Sequence, residues 1–507
     1  MTDVPRTGTV YLVGAGPGDP GLLTLRGREC LEAADVVLYD GLVSPLLLRH
    51  TQATCERTSR AAGPNGKRIE QAEINARLIA AAKAGKTVVR LKGGDPFLFG
   101  RGSEEAAALA AEGIPFEVVP GVTAAIAAAT YAGLSLTHRE IASSVAFITG
   151  HEHPAKPGSS LDYEALARFP GTLVFYMGLH RLGAIAAALI AAGKKAETPA
   201  CVVSRATTPL QRTVEGALGD LAALVRDADL HAPSLIVVGE CVRQRQDIAW
   251  FEHKPLLGKR VGVTRPEHQA DGVVDALLKL GAQPVLMPLV EILPPEDWAA
   301  VDRAIAALPD YDWHVFTSAN GVDGFLGRLW ERGDDLRTLA GSRIAAIGPA
   351  TVERLRAFHL RADVVPHEYR AEGLVEALRP LVAGQRVLWA GADRGRDVLQ
   401  VGLEAAGATV EKIVVYRSCD ASSLAPDVSD LLTRGELDWV GLSSPSIARR
   451  FAELLPADAK CHLGTRVRLA AISPVTAEAA REAGLPIAAE AQDFTWNGVL
   501  RAILQAG

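Results

Sequence analysis

The feature that most constrains this chain is a repeated alternation. A short apolar run rich in Val, Leu and Tyr ends abruptly on Gly, Asp or Pro, and an Ala-rich pattern of helical period follows. VYLVGAG, DVVLYD, KTVVRLKGG and FEVVPG all have this form. Segments so arranged pair as parallel strands with helical crossovers, and their loops gather at the strand C-termini. Past Gly121 the pattern resumes with SVAFITG, GTLVFYMG, PACVVSRAT and SLIVVGE, giving two α/β units over about 8–119 and 120–248. IAWFEHKPLLGKR then breaks the rhythm with aromatic, charged and Pro residues, so 249–258 reads as a linker. The texture restarts with GKRVGVTRP, and a further α/β half is expected over 259–507. At 507 residues the chain is long for one domain, which suggests about three or four folding units.

The second half carries variations on one theme. GSRIAAIGPATVERLRAFHL and TRVRLAAISPVTAEAAREAGL share a strand, a small-Pro-x-Thr turn and a helix. DWHVFTSANGVDGF and DWVGLSSPSIARRF share a strand, a hydroxyl pair and a helix. An internal duplication follows, with two similar lobes whose hydroxyl-rich turns face a common cleft. The plainer alternative is that these Ser and Thr residues cap helices.

Composition narrows the function classes. A formal charge of −6 gives no basic footprint for a nucleic acid. The six cysteines, Cys30, Cys55, Cys201, Cys241, Cys419 and Cys461, have neither C-x-x-C nor framework spacing, which fits a reducing cytoplasm. The most apolar stretch, Gly121 to Leu136, is too short to span a bilayer, so no membrane role is expected. His151-Glu-His153 lacks the H-E-x-x-H spacing of a zinc site, and no metal is expected.

The loops at the strand ends carry the chemistry. VYLVGAGPGDPGLLTLR looks like a dinucleotide fingerprint, but Asp19 stands where the third glycine belongs and Pro17 removes an N–H that a pyrophosphate would use. It is a strand-to-helix ligand loop of another kind. In RLKGGDPFLFGRGSEE, Gly93, Gly94 and Asp95 close a strand, and Arg90, Lys92 and Arg101 are expected to form an anion-receiving rim. Arg101 and Glu104, at i,i+3, could equally be a surface ion pair. Pro120-Gly-Val-Thr-Ala124 opens an Ala-rich helix with small side chains, and Leu136-Thr-His-Arg139 is a basic turn. Met177, at the end of Phe175-Tyr-Met-Gly178, reads on composition alone as core.

In this order the motifs closely resemble those of uroporphyrinogen-III C-methyltransferases, with VYLVGAGPGDPGLLTL, DVVLYDGLVS, VVRLKGGDPFLFGRGSEE, VVPGVTAA, LSLTHRE and LVFYMGL in register over residues 8–248. The resemblance implies a tetrapyrrole-methylase-like half of two subdomains that holds S-adenosyl-L-methionine between them. Its contacts would be Pro17, Gly93, Gly94, Asp95, Leu98, Thr123, Ala124, Met177 and Ala206, which recasts Met177 as a ligand contact. It also implies Asp40 as the acid/base group that takes the pyrrole proton, with Arg101, Glu104 and Arg139 on the substrate side. A substrate rich in carboxylates suits the two arginines as bidentate anchors. Two departures leave the family's proton-donor lysine unassigned: Gly41 follows Asp40 where the family has Arg, and the Gly-Lys-Arg region reads Thr58-Ser-Arg-Ala-Ala-Gly-Pro-Asn-Gly-Lys67. Lys67 could stand in; Arg60 could not act as an acid.

Residues 259–507 resemble uroporphyrinogen-III synthases through VGVTRP, HVFTSANGVDGF, AAIGPATVERLR, AGADRGRDVL, VVYRS, GLSSPSIARRF and AAISPVTAEAA. That resemblance implies a bilobal α/β half, lobe 1 from about 259–293 plus 420–507 and lobe 2 from about 296–416. Tyr416 would be the acid that helps hydroxide leave hydroxymethylbilane; a half-buried strand aromatic is the alternative. Thr317, Ser318, Ser444 and Thr476 would bind the acid side arms, with Arg265 an anion partner. Together the halves imply an enzyme that closes hydroxymethylbilane to uroporphyrinogen III and methylates it twice to precorrin-2, as a cytoplasmic homodimer joined through its methyltransferase half. The alternative is a methyltransferase on another tetrapyrrole fused to a non-catalytic tetrapyrrole-binding module. The route beyond precorrin-2, to sirohaem, haem d1 or a corrinoid, stays open.

Overall fold

The computed structural model describes residues 7–58, 69–150, 161–395 and 397–507. The chain divides into two compact units: residues up to Arg260 with Ala276–Gln283, and Val261–Asp275 with Pro284–Gly507.

The first unit opens with β1 (Val10–Gly14), β2 (Val36–Tyr39), β3 (Thr54–Arg57), β4 (Val88–Lys92) and β5 (Phe116–Val119). They form a parallel sheet in the order β3-β2-β4-β1-β5. Alternate residues feed two cores, Val10, Leu12 and Leu38 on one face and Val13, Val37 and Leu91 on the other. The central β4 is therefore buried along its whole length. Strand β3, TCER, has no apolar face; it is an exposed edge that hydrophobic patterning does not announce.

A second sheet follows: β6 (Val145–Thr149), β7 (Thr172–Tyr176), β8 (Pro199–Ser204), β9 (Arg212–Ala217) and β10 (Ser234–Val238), ordered β6-β7-β10-β8-β9. Only β6 and β7 are parallel. Here the expectation of a continuing parallel pattern fails, because β10 inserts antiparallel between β7 and β8, and β8 turns back on β9 as a hairpin. Edge strand β9 has only exposed and half-buried residues and so lacks a core pattern.

The second unit holds β11 (Arg260–Val263), β12 (Gln283–Leu286), β13 (Val290–Leu293), β14 (Trp313–Phe316), β15 (Arg343–Ala346), β16 (Arg386–Ala392), β17 (Thr409–Asp420), β18 (Trp439–Leu442), β19 (Arg468–Ala471) and β20 (Ile487–Glu490). Two five-stranded sheets result, ordered β12-β11-β18-β19-β20 and β13-β17-β16-β14-β15. The expected repeats occupy equivalent places, since the parallel neighbours β14 and β15 in one sheet match β18 and β19 in the other. The long β17 is parallel to β16 along Thr409–Tyr416 and then antiparallel to β13 along Arg417–Asp420. Both connections between the lobes are thus hydrogen-bonded to each other, and Arg417 adds a 2.7 Å ion pair to Glu296.

No helix among the described residues is long and apolar enough to cross a membrane. No cluster able to hold a metal occurs among them, and His151-Glu-His153 lies outside them.

Candidate active sites

In the first unit three Gly-bearing turns meet at the C-terminal ends of β1, β4 and β5. A Cβ on Gly121 would lie 2.3 Å from the Gly94 carbonyl oxygen and 2.7 Å from the Gly14 Cα, so backbone packs directly on backbone. Gly16 and Gly94 exchange amide hydrogen bonds at 3.3 and 2.8 Å. Asp95 staples the turns: its carboxylate accepts from Phe97 N, Leu98 N and, at 3.0 Å, Gly121 N. Asp40 caps the same place, accepting from Gly93 N at 3.0 Å and Leu42 N at 2.9 Å.

The second subdomain closes on these turns. The Tyr176 hydroxyl accepts from Ala125 N at 2.9 Å and shares a 2.6 Å hydrogen bond with Thr123 Oγ1, while its ring lies 4.9 Å from Phe99. Burial pushes the Tyr176 phenol up, so it stays neutral. Leu98, Ala124 and Ala206 pack on one apolar cluster. Gly18 leaves room for the 206–208 turn, whose Thr207 Oγ1 accepts from Asp19 N at 3.0 Å. Met177 is 52% exposed and held at φ 54°, which overturns its reading as core: the left-handed turn after β7 swings it out of the sheet. Pro17, Gly93, Gly94, Asp95, Leu98, Thr123, Ala124 and Ala206 thus lie on turns joined by these contacts, while Met177 stands exposed at the end of β7.

The expected cationic rim is corrected. Arg90 and Lys92 are not on a rim; each is 2% exposed, and both clasp the fully buried Glu105, at 3.1 and 2.9 Å. Strand alternation puts both cations on one face of a strand buried along its whole length, where each charge needs a partner. Burial and the neighbouring Arg90 pull the Lys92 ammonium down. Burial presses the Glu105 carboxyl up, but the two cations outweigh it and hold it below its usual range. Arg101 alone stays outside, in a two-bonded pair with Glu104 at 2.7 and 2.5 Å, both side chains partly exposed. Such an exposed pair contributes about 0–1 kcal/mol. Arg139 is exposed in the 138–142 turn. Arg60 and Lys67 lie outside the described residues.

In the second unit the turns after β14, β18 and β19 start helices with extended caps. Ser318 Oγ accepts from Gly321 N, Ser444 Oγ from Ile447 N, and Ser473 Oγ from Thr476 N. The Tyr416 hydroxyl lies 3.1 Å from Ser318 Oγ, and Thr317 Oγ1 accepts from Trp389 Nε1 at 3.1 Å. Thr317, Ser318 and Tyr416 are therefore together, with Tyr416 half-buried at the end of the β16–β17 pairing. Thr476 is 1% exposed and bonds Ser473 Oγ, so the half-buried hydroxyl at that turn is Ser473's rather than Thr476's. The cap geometry explains the shift, because an N-cap side chain faces the open helix end while the residue three further on turns inward. Arg265 is half-buried, and burial pulls its guanidinium down. Ser473, Tyr176 and Glu105 escaped sequence reading; the unmatched cations in β4 were the signal for Glu105.

The sequence profile of tetrapyrrole (corrin/porphyrin) methylases matches residues 9–222, and that of uroporphyrinogen-III synthase HemD matches 271–501. The chain is 36% identical over 447 residues to a porphyrin biosynthesis protein HemD of Ruminiclostridium josui, covering 88% of each. It is 42% identical over 350 residues to a uroporphyrinogen-III C-methyltransferase of Bacillus subtilis, covering 69% of this chain and 72% of that protein. A solved uroporphyrin-III C-methyltransferase of Thermus thermophilus, complexed with S-adenyl homocysteine, is 41% identical with a TM-score of 0.41, covering 46% of this chain and 99% of that one.

Proposed function

Since this chain belongs to the family of porphyrin biosynthesis proteins that join a tetrapyrrole methylase to a uroporphyrinogen-III synthase, we propose that it makes uroporphyrinogen III and converts it to precorrin-2. The synthase reading takes in residues 259–507 and the methylase reading 8–248. The observation that carries the methylase reading is the junction of three backbone-lined turns directly beside Asp40. A cofactor with adenosine and amino-acid ends suits a site lined by small residues and main chain. Pro17, Gly93, Gly94, Asp95, Leu98, Thr123, Ala124, Met177 and Ala206 would hold it. When bound, S-adenosyl-L-methionine supplies an electrophilic methyl group. The protein's part is orientation, exclusion of water and removal of the pyrrole proton.

Asp40 takes that proton, its carboxylate aimed by the Gly93 and Leu42 amides. Arg101 releases Glu104 to receive a substrate carboxylate, and Arg139 receives another. In the synthase half Tyr416 gives its proton to the departing hydroxyl of hydroxymethylbilane, which leaves as water. Thr317, Ser318, Ser444 and Ser473 hold the acid arms at helix N-termini, where backbone N–H groups favour anions. Thr476 supports Ser473, and Arg265 faces an arm. The tetrapyrroles are its partners, as a homodimer through the methylase half, in the cytoplasm, where six free cysteines stay reduced.

The two readings separate by substitution. Asp40→Asn should lower methyl transfer about 10²-fold or more and leave ring closure within twofold, and Tyr416→Phe should do the reverse. A loss of both activities in either variant contradicts the assignment.

A further inference from the structure

The segment 249–258, which leads out of the methylase half, is bound tightly to it. Phe251 and Leu256 are buried, and the Tyr131 ring lies 5.1 Å from Trp250 and 4.8 Å from Phe251. Among these apolar contacts one acid, Glu252, turns inward. Its Oε1 accepts from Thr213 Oγ1 at 2.5 Å and from Gln211 Nε2 at 3.0 Å, while its Oε2 pairs with Arg245 at 2.9 Å. Burial opposes the charge, but Thr213, Arg245 and Gln211 together hold the carboxyl below its usual range.

The ionised carboxylate has a consequence one step away. Gln211 is 3% exposed, and a carboxylate accepts but cannot donate, so it fixes the amide with Nε2 toward Glu252 and Oε1 away. Gln211 Oε1 then accepts from Thr207 N at 2.8 Å, and the second Nε2 hydrogen goes to Tyr131 O at 3.1 Å. Thr207 and Arg205 both adopt left-handed backbone, φ 66° and 47°, on either side of Ala206. Non-glycine residues stay in that region only where surrounding bonds over-determine them. Thr207 in turn receives Asp19 N on its hydroxyl, and the Asp19 carboxylate receives the Tyr131 hydroxyl at 2.7 Å. The turns bearing Pro17 and Ala206 therefore hang on one network whose buried anion is Glu252.

We infer that Glu252 is a positioning residue for the methyl-donor site: it sets the Gln211 amide, which holds Thr207 and with it the turns of Ala206 and Pro17. The inference rests on the methylase reading above. It makes the segment leaving the methylase half a part of that half's cofactor site.

Calorimetric titration of S-adenosyl-L-homocysteine into the full chain tests it. Glu252→Ala should raise Kd about tenfold with binding still about one per chain, Gln211→Ala should match it, and the double variant should add little more. Glu252→Gln, which lets the amide flip, should fall between wild type and Glu252→Ala. KM for uroporphyrinogen III and the ring-closure rate should stay within about twofold. An unchanged Kd with a reduced binding fraction would mean that Glu252 only holds the fold, and additive losses in the double variant would break the route through Gln211; either overturns the inference. A wild-type chain that does not bind S-adenosyl-L-homocysteine would instead overturn the methylase reading.

Discussion

The two units shape their ligand turns by different means. In the first, Phe99, Arg101, Met177, Arg205 and Thr207 all hold left-handed backbone around the candidate cofactor site, and three glycine turns touch main chain to main chain. In the second, among the described residues, His359 alone of the non-glycine residues is left-handed, and the turns are extended caps finished by a serine hydroxyl or, at Gly348, by backbone. A site that grips a ligand with backbone must bend the backbone and hold it with staples such as Asp95 and Gln211. A site that offers hydroxyls and helix N-termini uses relaxed geometry. The first kind should tolerate substitution poorly and the second well.

Buried charge follows the same division. In the first unit the buried Arg90 and Lys92 both pair with Glu105, whereas in the second unit the buried His314, 1% exposed, has neither ring nitrogen hydrogen-bonded. Glu105→Gln should therefore cost the first unit about 3–5 kcal/mol at neutral pH, read by calorimetry, because two buried cations lose their anion. Acid should act the other way round. The folded Glu105 carboxyl lies below its unfolded value, so its contribution is present at neutral pH and is lost only as pH falls through that depressed folded value.

Burial pulls the His314 imidazole from 6.5 to about 4, so between those values the unfolded chain takes up a proton that the native state refuses. The second unit should lose on the order of 3 kcal/mol over that window and melt first on acidification. Intrinsic fluorescence reports it, since six of the seven tryptophans lie in that unit. His314→Leu should flatten the dependence, and an unaltered acid transition in that variant would remove His314 from the account.

The smallest contrast is the most direct test of the two turn types. Gly121→Ala forces a Cβ against backbone at 2.3 Å and should destabilise the first unit by about 1–3 kcal/mol with loss of cofactor affinity. Gly348→Ala first meets the exposed Tyr369 side chain, at 3.2 Å, on extended backbone, and should cost less than about 0.5 kcal/mol. Equal penalties would erase the distinction.

Local chemistry explains what the sequence made legible. Strands β1, β2, β4 and the duplicated β14–β15 and β18–β19 pairs were readable because each joins an apolar run to a Gly, Ser or Thr turn. The exposed edges β3 and β9 were not, since an edge needs no apolar face, and the antiparallel insertion of β10 depends on pairing between distant segments. In the sites, turn residues were legible because glycine, proline and serine declare backbone needs. Lys92 and Thr476 were misplaced because burial is decided by which face of a strand or helix packs inward. Glu252 was hidden in a segment whose mixed composition resembles a linker, while its role comes from contacts with Gln211 and Thr213 about forty residues back.

The central claim is that one chain performs two consecutive reactions. Supplying the full chain with hydroxymethylbilane and S-adenosyl-L-methionine, and following the product by absorbance and mass, tests it directly. The account predicts a doubly methylated macrocycle of the type III isomer. Uroporphyrinogen I alone, the product of uncatalysed closure, would contradict it.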